Sequence, residues 1–123
     1  NRTTCFRLVG HDAGSLRVEN RLPGADTNPY LTAAATIAAG VAGIVGKIEP
    51  EAETLGSGYA QKPSRDFARS MPEAIERLRG SDFAKDWLGE RFVEAFSATR
   101  ECQHDEFRKK VPDVELQRFF DLG

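Results

Sequence analysis

Leu16-Arg17-Val18-Glu19-Asn20-Arg21, followed after a turn by Asn28-Pro29-Tyr30-Leu31, is the stretch whose reading decides the fold. Successive side chains of a strand point to opposite faces. Leu16, Val18 and Asn20 therefore share one face, and Arg17, Glu19 and Arg21 share the other. The second face reads plus, minus, plus. A site that holds both a divalent cation and a phosphate uses that order, because a carboxylate suits a hard cation and guanidinium groups suit phosphoryl oxygens. The plain alternative is a solvated hairpin face whose cross-strand pairs contribute under about 1 kcal/mol each.

Outward from this strand, Thr3 to Val9 carries Thr3, Thr4, Phe6 and Val9 and predicts a partner strand. Gly10 to Ser15 is loop chemistry between the two arms, so an antiparallel hairpin is expected. Arg2 and Arg7 lie at an odd offset, which a regular strand sends to opposite faces. If both act together, the strand starts after Arg2 or carries a bulge. Pro23 to Thr27 is a turn. Asn28 is then a favoured N-cap and Pro29 a favoured first helical residue.

From Tyr30 to Val45 the helix is apolar nearly all round, built from Ala, Gly, Ile, Leu, Val and Thr. Such a helix is buried on all sides or spans a membrane. The absence of an aromatic belt or basic flank favours a core helix, with Gly40 and Gly43 admitting a close neighbour. A chain this short has difficulty enclosing it, so exposed apolar surface around Tyr30–Val45 is expected of this segment by itself. Residues 47–69 show no sustained periodicity and form a long loop. Ser70-Met71-Pro72-Glu73 is a capping box opening a short helix that ends at Gly80. Ser81 caps another that carries Phe83 and Trp87, read as core, and ends at Gly89. A long helix over Glu90–Lys110 buries Phe92, Val93 and Phe96. Val111-Pro112 breaks it before a last helix, Asp113–Phe120.

The expected fold class is thus α+β: an N-terminal antiparallel hairpin (residues 1–27) followed by a mainly helical region (28–123, with a buried helix 29–46, a loop 47–69 and helices 71–121). Together they have about the size of one ordinary domain. The 123 residues are 40% hydrophobic and 29% charged, as in a globular protein. A formal net charge of −2 argues against nucleic acid or an anionic membrane as partner. Cys5 and Cys102 form no metal-type spacing and read as reduced thiols of a cytoplasmic protein. No signal-peptide pattern opens the chain. A chain that begins without Met on a working strand is expected to be part of something longer.

The long charged residues within the first 21 positions are Arg2, Arg7, Arg17, Glu19 and Arg21, without a lysine. Arginine is the residue for planar, bidentate phosphate contacts. Asn1-Arg2, Arg7, Arg17-Val18-Glu19-Asn20-Arg21, Asn28-Pro29-Tyr30-Leu31 with its Ala/Gly-rich helix, Lys47-Ile48-Glu49-Pro50 and Gly58-Tyr59 resemble, in this order, the C-terminal part of the glutamine synthetase catalytic domain. The resemblance covers essentially the whole chain and the last quarter or so of a family member. It implies an ATP-dependent ligase that phosphorylates the γ-carboxylate of L-glutamate and condenses the product with ammonia. It also implies Mg²⁺ or Mn²⁺ and a homo-oligomeric ring in the full-length protein. By position, Arg2 and Arg21 would be catalytic and would bind the glutamate side chain and the transferring phosphoryl group. Arg7 and Arg17 would hold ATP phosphates, and Glu19 would ligate the metal. The family's metal-binding His and its other carboxylate ligands have no counterpart here, so this segment alone is expected to be inactive.

Two alternatives accompany this reading. Glu19-Asn20-Arg21 with Leu22-Pro23-Gly24-Ala25-Asp26 looks more like the branch that joins glutamate to amines, such as γ-glutamylpolyamine synthetases. A non-catalytic assembly domain that kept the fold is the other. Tyr59 falls near a tyrosine that some bacterial members have adenylylated, but its flanks differ, and it reads as an exposed loop residue. His11 and His104 read as solvated.

Overall fold

A computed structural model describes residues 2–61, 66–120 and 122. Asn1, residues 62–65, Asp121 and Gly123 lie outside them, and with them part of the expected loop 47–69 and the end of the expected helical span 71–121. The chain is α+β, with an antiparallel two-stranded hairpin followed by helices. It divides into two compact units, Asn1–Asp66 and Phe67–Gly123.

In the first unit, β1 (Phe6–Val9) pairs antiparallel with β2 (Arg17–Asn20), with Phe6 opposite Asn20, Arg7 opposite Glu19, Leu8 opposite Val18 and Val9 opposite Arg17. Both strands are shorter than their β-rich sequence suggests. Pairing nevertheless continues one step further, since the Arg21 amide donates to the Cys5 carbonyl at 2.9 Å. The loop between the strands closes on Asp12, whose Oδ1 accepts from the amides of Gly14 (2.9 Å) and Ser15 (2.8 Å). The Ser15 hydroxyl first, and then the amides of Ser15 and Gly14, hold the Asp12 carboxyl below its usual range. Gly10 has φ +134°, and a Cβ there would lie 2.6 Å from the Ser15 carbonyl, so only glycine fits this corner.

Helix α1 (Pro29–Val45) starts as expected: Asn28 is its N-cap, and its side chain accepts from the amides of Tyr30 (3.0 Å) and Leu31 (3.2 Å). At its other end the Lys47 amide donates to Ile44 (3.2 Å) and the Ile48 amide to Gly43 (2.9 Å). This is the Schellman pattern, with Lys47 at φ +49° where glycine is usual. Within this chain α1 shows the exposed apolar surface expected of the segment by itself. Only Ala42 is buried, while Tyr30, Ile37, Ile44 and Val45 are exposed. A two-stranded hairpin has too little surface to cover a helix of 17 residues. A Cβ on Gly40 or Gly43 would meet nothing within 4 Å, so no neighbour among the described residues uses the close approach these glycines permit. No helix among the described residues is long and apolar enough to cross a membrane. After α1 the chain is irregular up to a single 3₁₀ turn, Gly58–Ala60. The Gly58 amide donates to Thr3 Oγ1 at 2.6 Å. A Cβ on Gly58 would also stand 2.6 Å from the Thr3 carbonyl oxygen, so the loop ties down the segment that leads into β1.

The second unit is helical: α2 (Met71–Arg79), α3 (Asp82–Leu88), α4 (Glu90–Arg108) and α5 (Asp113–Phe119). Ser70 caps α2 and Ser81 caps α3. The reciprocal arm of the capping box is shifted by one residue, with Glu73 Oε2 accepting from the Arg69 amide at 2.8 Å. Helices α2 and α3 both pack on α4, burying Ile75, Ala84, Val93 and Ser97. The large aromatics that the periodicity assigns to this core are displaced to its rim. Phe92 and Phe96 are half-buried and stack on one another with ring centroids 5.6 Å apart. Phe83 and Trp87 are exposed and pair at 6.1 Å, which corrects their reading as core. On a seven-residue helix the stripe facing α4 is set by Ala84, and residues 83 and 87 stand beside it. An Arg79–Glu101 ion pair (2.6 Å) links α2 to α4.

Candidate functional site

The register of the hairpin composes the site. Arg7 opposite Glu19 puts Arg7 on the same face as Arg17, Glu19 and Arg21. Arg7 Nη2 and Nε reach Glu19 Oε2 at 2.6 and 2.8 Å. Arg21 Nε stands 3.5 Å from Glu19 Oε1. The acid is thus held between two guanidinium groups, one from each strand. Arg17 shares the face but turns toward the loop, donating from Nη1 to the Ser15 carbonyl at 3.3 Å.

Arg2 is not brought into this group. Strand β1 begins at Phe6, so Arg2 precedes it, which was one of the two conditions for Arg2 and Arg7 to act together. Arg2 is exposed and forms no ion pair among the described residues. Its place in the chain is set through Thr3, its neighbour, by the bond from Gly58. That tie joins positions 55 residues apart and is the part of this region that sequence reasoning missed. The unpatterned Gly56-Ser57-Gly58 run was its only signal.

The side chains of Arg7 and Glu19 are about 40% exposed, so their pairing contributes under about 1 kcal/mol to stability. Charge decides more. Three arginines against one glutamate give the face a net charge of +2 (3 − 1) on a chain of net charge −2. Such a face attracts an anion with several oxygens, and the planar guanidinium groups can meet phosphoryl oxygens two at a time. The donor set does not make a metal centre by itself. Glu19 is the one carboxylate of the face, and among the described residues no group of three or more His, Cys, Asp or Glu could hold a metal ion. Glu19 can supply one oxygen ligand, and the described residues do not supply the rest.

The other polar candidates lie elsewhere. His11 is exposed in the hairpin loop. His104 is half-buried in a groove between α2 and α4, beside Glu76, Glu101 and Asp105. Tyr59 stands exposed on the 3₁₀ turn. Cys5 and Cys102 are free thiols.

Comparison with known proteins shows the family of the chain. Residues 1–119 match the family model described as the glutamine synthetase catalytic domain. The chain belongs to this family. A glutamate–isopropylamine ligase of Pseudomonas is 36% identical over 124 residues, covering 99% of this chain and 27% of the relative. A γ-glutamylethanolamide synthetase of Streptomyces coelicolor is 40% identical over 124 residues, covering 98% of this chain and 26% of the relative. A type-1 glutamine synthetase of Dictyostelium discoideum is 34% identical over 126 residues, covering 99% and 24%. The chain therefore spans about a quarter of the length of the curated relatives it matches. Both glutamine-forming and γ-glutamylamide-forming ligases stand among its relatives.

Proposed function

We propose that this chain forms the phosphate-facing wall of an ATP-dependent ligase that activates the γ-carboxylate of L-glutamate and joins it to ammonia or an amine. In the first step a γ-carboxylate oxygen attacks the γ-phosphorus of ATP. The bond to the β-phosphate oxygen breaks, and ADP leaves. In the second, the acceptor nitrogen attacks the γ-acyl carbon, inorganic phosphate departs, and the nitrogen loses a proton. Both steps concentrate negative charge on phosphoryl oxygens, and catalysis consists mainly of positioning them and neutralising that charge.

Arg7 and Arg17 are assigned to the ATP phosphates, Arg21 to the glutamate side chain and the phosphoryl group made on it, and Arg2 to the phosphoryl group in transfer. Glu19 would give one ligand to the Mg²⁺ or Mn²⁺ that accompanies the nucleotide. The remaining ligands would come from other parts of a longer enzyme, for which a subunit ring is the proposed assembly. Residues 1–123 alone are expected to be inactive. The observation that carries this reading is the net positive face centred on Glu19, with Arg7 and Arg21 supplied by two paired strands. An amine acceptor is favoured over ammonia by the γ-glutamylethanolamide synthetase at 40% identity and the isopropylamine ligase at 36%.

The test uses the full-length protein. With ATP, glutamate and hydroxylamine it should release ADP and accumulate γ-glutamylhydroxamate, and Glu19→Ala and Arg2→Ala should lower that yield about a hundredfold or more. Competition between ammonia and primary amines in the same assay selects the acceptor. Wild-type yield from both variants would mean that the face makes only subunit contacts.

A further inference from the structure

Asn20 sits between Glu19 and Arg21 in sequence but on the opposite face of β2, opposite Phe6 in register. Phe6, Leu8, Leu16 and Val18 are exposed on the hairpin, whereas Asn20 is half-buried and reaches helix α1. Its Nδ2 donates to Thr36 Oγ1 at 3.0 Å, and its Oδ1 accepts from the Leu22 amide at 3.1 Å. The Thr36 hydroxyl proton is already committed to the Thr32 carbonyl at 2.7 Å. Thr36 Oγ1 is left as an acceptor, which fixes which end of the carboxamide faces the helix. With the Arg21 amide on the Cys5 carbonyl, residues 20–22 are held at three points, by the helix, by their own turn and by β1.

We propose that Asn20 is a positioning residue: through Thr36 it locks the end of β2 against α1 and so fixes the directions in which Glu19 and Arg21 leave the strand. This rests on the phosphate-facing role proposed above. It also separates Asn20 from acceptor choice, because its carboxamide points to α1 and away from the charged face. The chemistry explains the choice of residue. Aspartate has the same shape but no proton to give, so it bonds Thr36 only if the hydroxyl turns away from the Thr32 carbonyl, and valine fills the space with no bond at all.

The full-length protein tests this with Asn20→Asp, Thr36→Val, Thr36→Ser and the double variant Asn20→Asp/Thr36→Val. Asn20→Asp and Thr36→Val should each lower kcat about tenfold, the effect of a small misplacement of charged groups. The KM for the acceptor should stay within about twofold. Thr36→Ser, which keeps the hydroxyl, should retain wild-type kcat. The double variant should be no worse than the weaker single, since both break one bond. Wild-type kcat in Asn20→Asp and Thr36→Val, or a change confined to the acceptor KM, overturns the proposal while leaving the ligase reading in place. A wild-type protein that makes no ADP with glutamate overturns the ligase reading, and the positioning role with it. Thr36 lies outside the charged face, so if Asn20→Asp fails to fold, the contrast between Thr36→Val and Thr36→Ser still decides.

Discussion

Within Phe67–Gly123, three helices close on Val93 and Ser97, both fully buried, and serine caps open α2 and α3. Within Asn1–Asp66, Ala42 is the one buried side chain among the described residues, while Leu8, Val18, Ile37 and Ile44 stand exposed. The two units obey the same local rules. Asn28 caps α1 as Ser81 caps α3. They differ in packing. A helix pair can bury one stripe of each partner, whereas an all-round apolar helix beside a two-stranded hairpin leaves most of its surface uncovered. The unit that carries the charged face is thus the one with the least core of its own.

That contrast can be broken by a series of substitutions in the 123-residue chain, read by denaturant unfolding. Trp87 is the one tryptophan of the sequence and reports on the helical unit. Amide exchange reports on the hairpin. Val93→Ala should cost about 2 kcal/mol, as removal of methyl groups from a closed site does. Asn28→Ala and Ser81→Ala should each cost about 1 kcal/mol, with no distinction between the units. Val18→Ala, on the exposed hairpin face, should change stability by less than about 0.5 kcal/mol. A cost at Val18 equal to that at Val93 would show a hairpin core that the burial pattern denies.

The smallest effect is acid sensitivity. Glu73 is held below its usual range first by the bond from the Arg69 amide, and Glu101 first by the hydrogen bond from Arg79. A carboxylate whose value is lowered on folding stabilises fully above its unfolded value, and that stabilisation disappears as pH falls through the folded one. The helical unit should therefore lose a little stability below the ordinary 4.5 of a glutamate. Asp12 should make the hairpin loop respond in the same sense from 3.8 downward. Glu101→Gln should flatten the first response, and an unchanged pH profile in that variant would remove the Arg79 pair as its cause.

How much of this was legible in the residues follows the range of the interaction. The Asn28-Pro29 start of α1, the Ser70 and Ser81 caps and the alternation of Arg17, Glu19 and Arg21 are local, and all of them form. The Arg7–Glu19 contact needed the hairpin register, which alternation within one strand does not set. Asn20–Thr36 and Thr3–Gly58 join distant positions through single polar side chains, and no periodicity announces such a bond. Phe83 and Trp87 were misplaced because helical spacing names a stripe without saying which stripe meets the neighbour. A small Ala84 made that contact instead.

The central claim is that the face built from Arg7, Glu19 and Arg21 handles the γ-phosphoryl group of ATP. Positional isotope exchange tests it most directly. Full-length protein is given ATP labelled in the β,γ-bridge and glutamate, with no acceptor. The wild-type protein is predicted to scramble the label only when glutamate is present, and Arg21→Ala, folded normally, to lose the scrambling. Scrambling in Arg21→Ala at the wild-type rate would contradict the account.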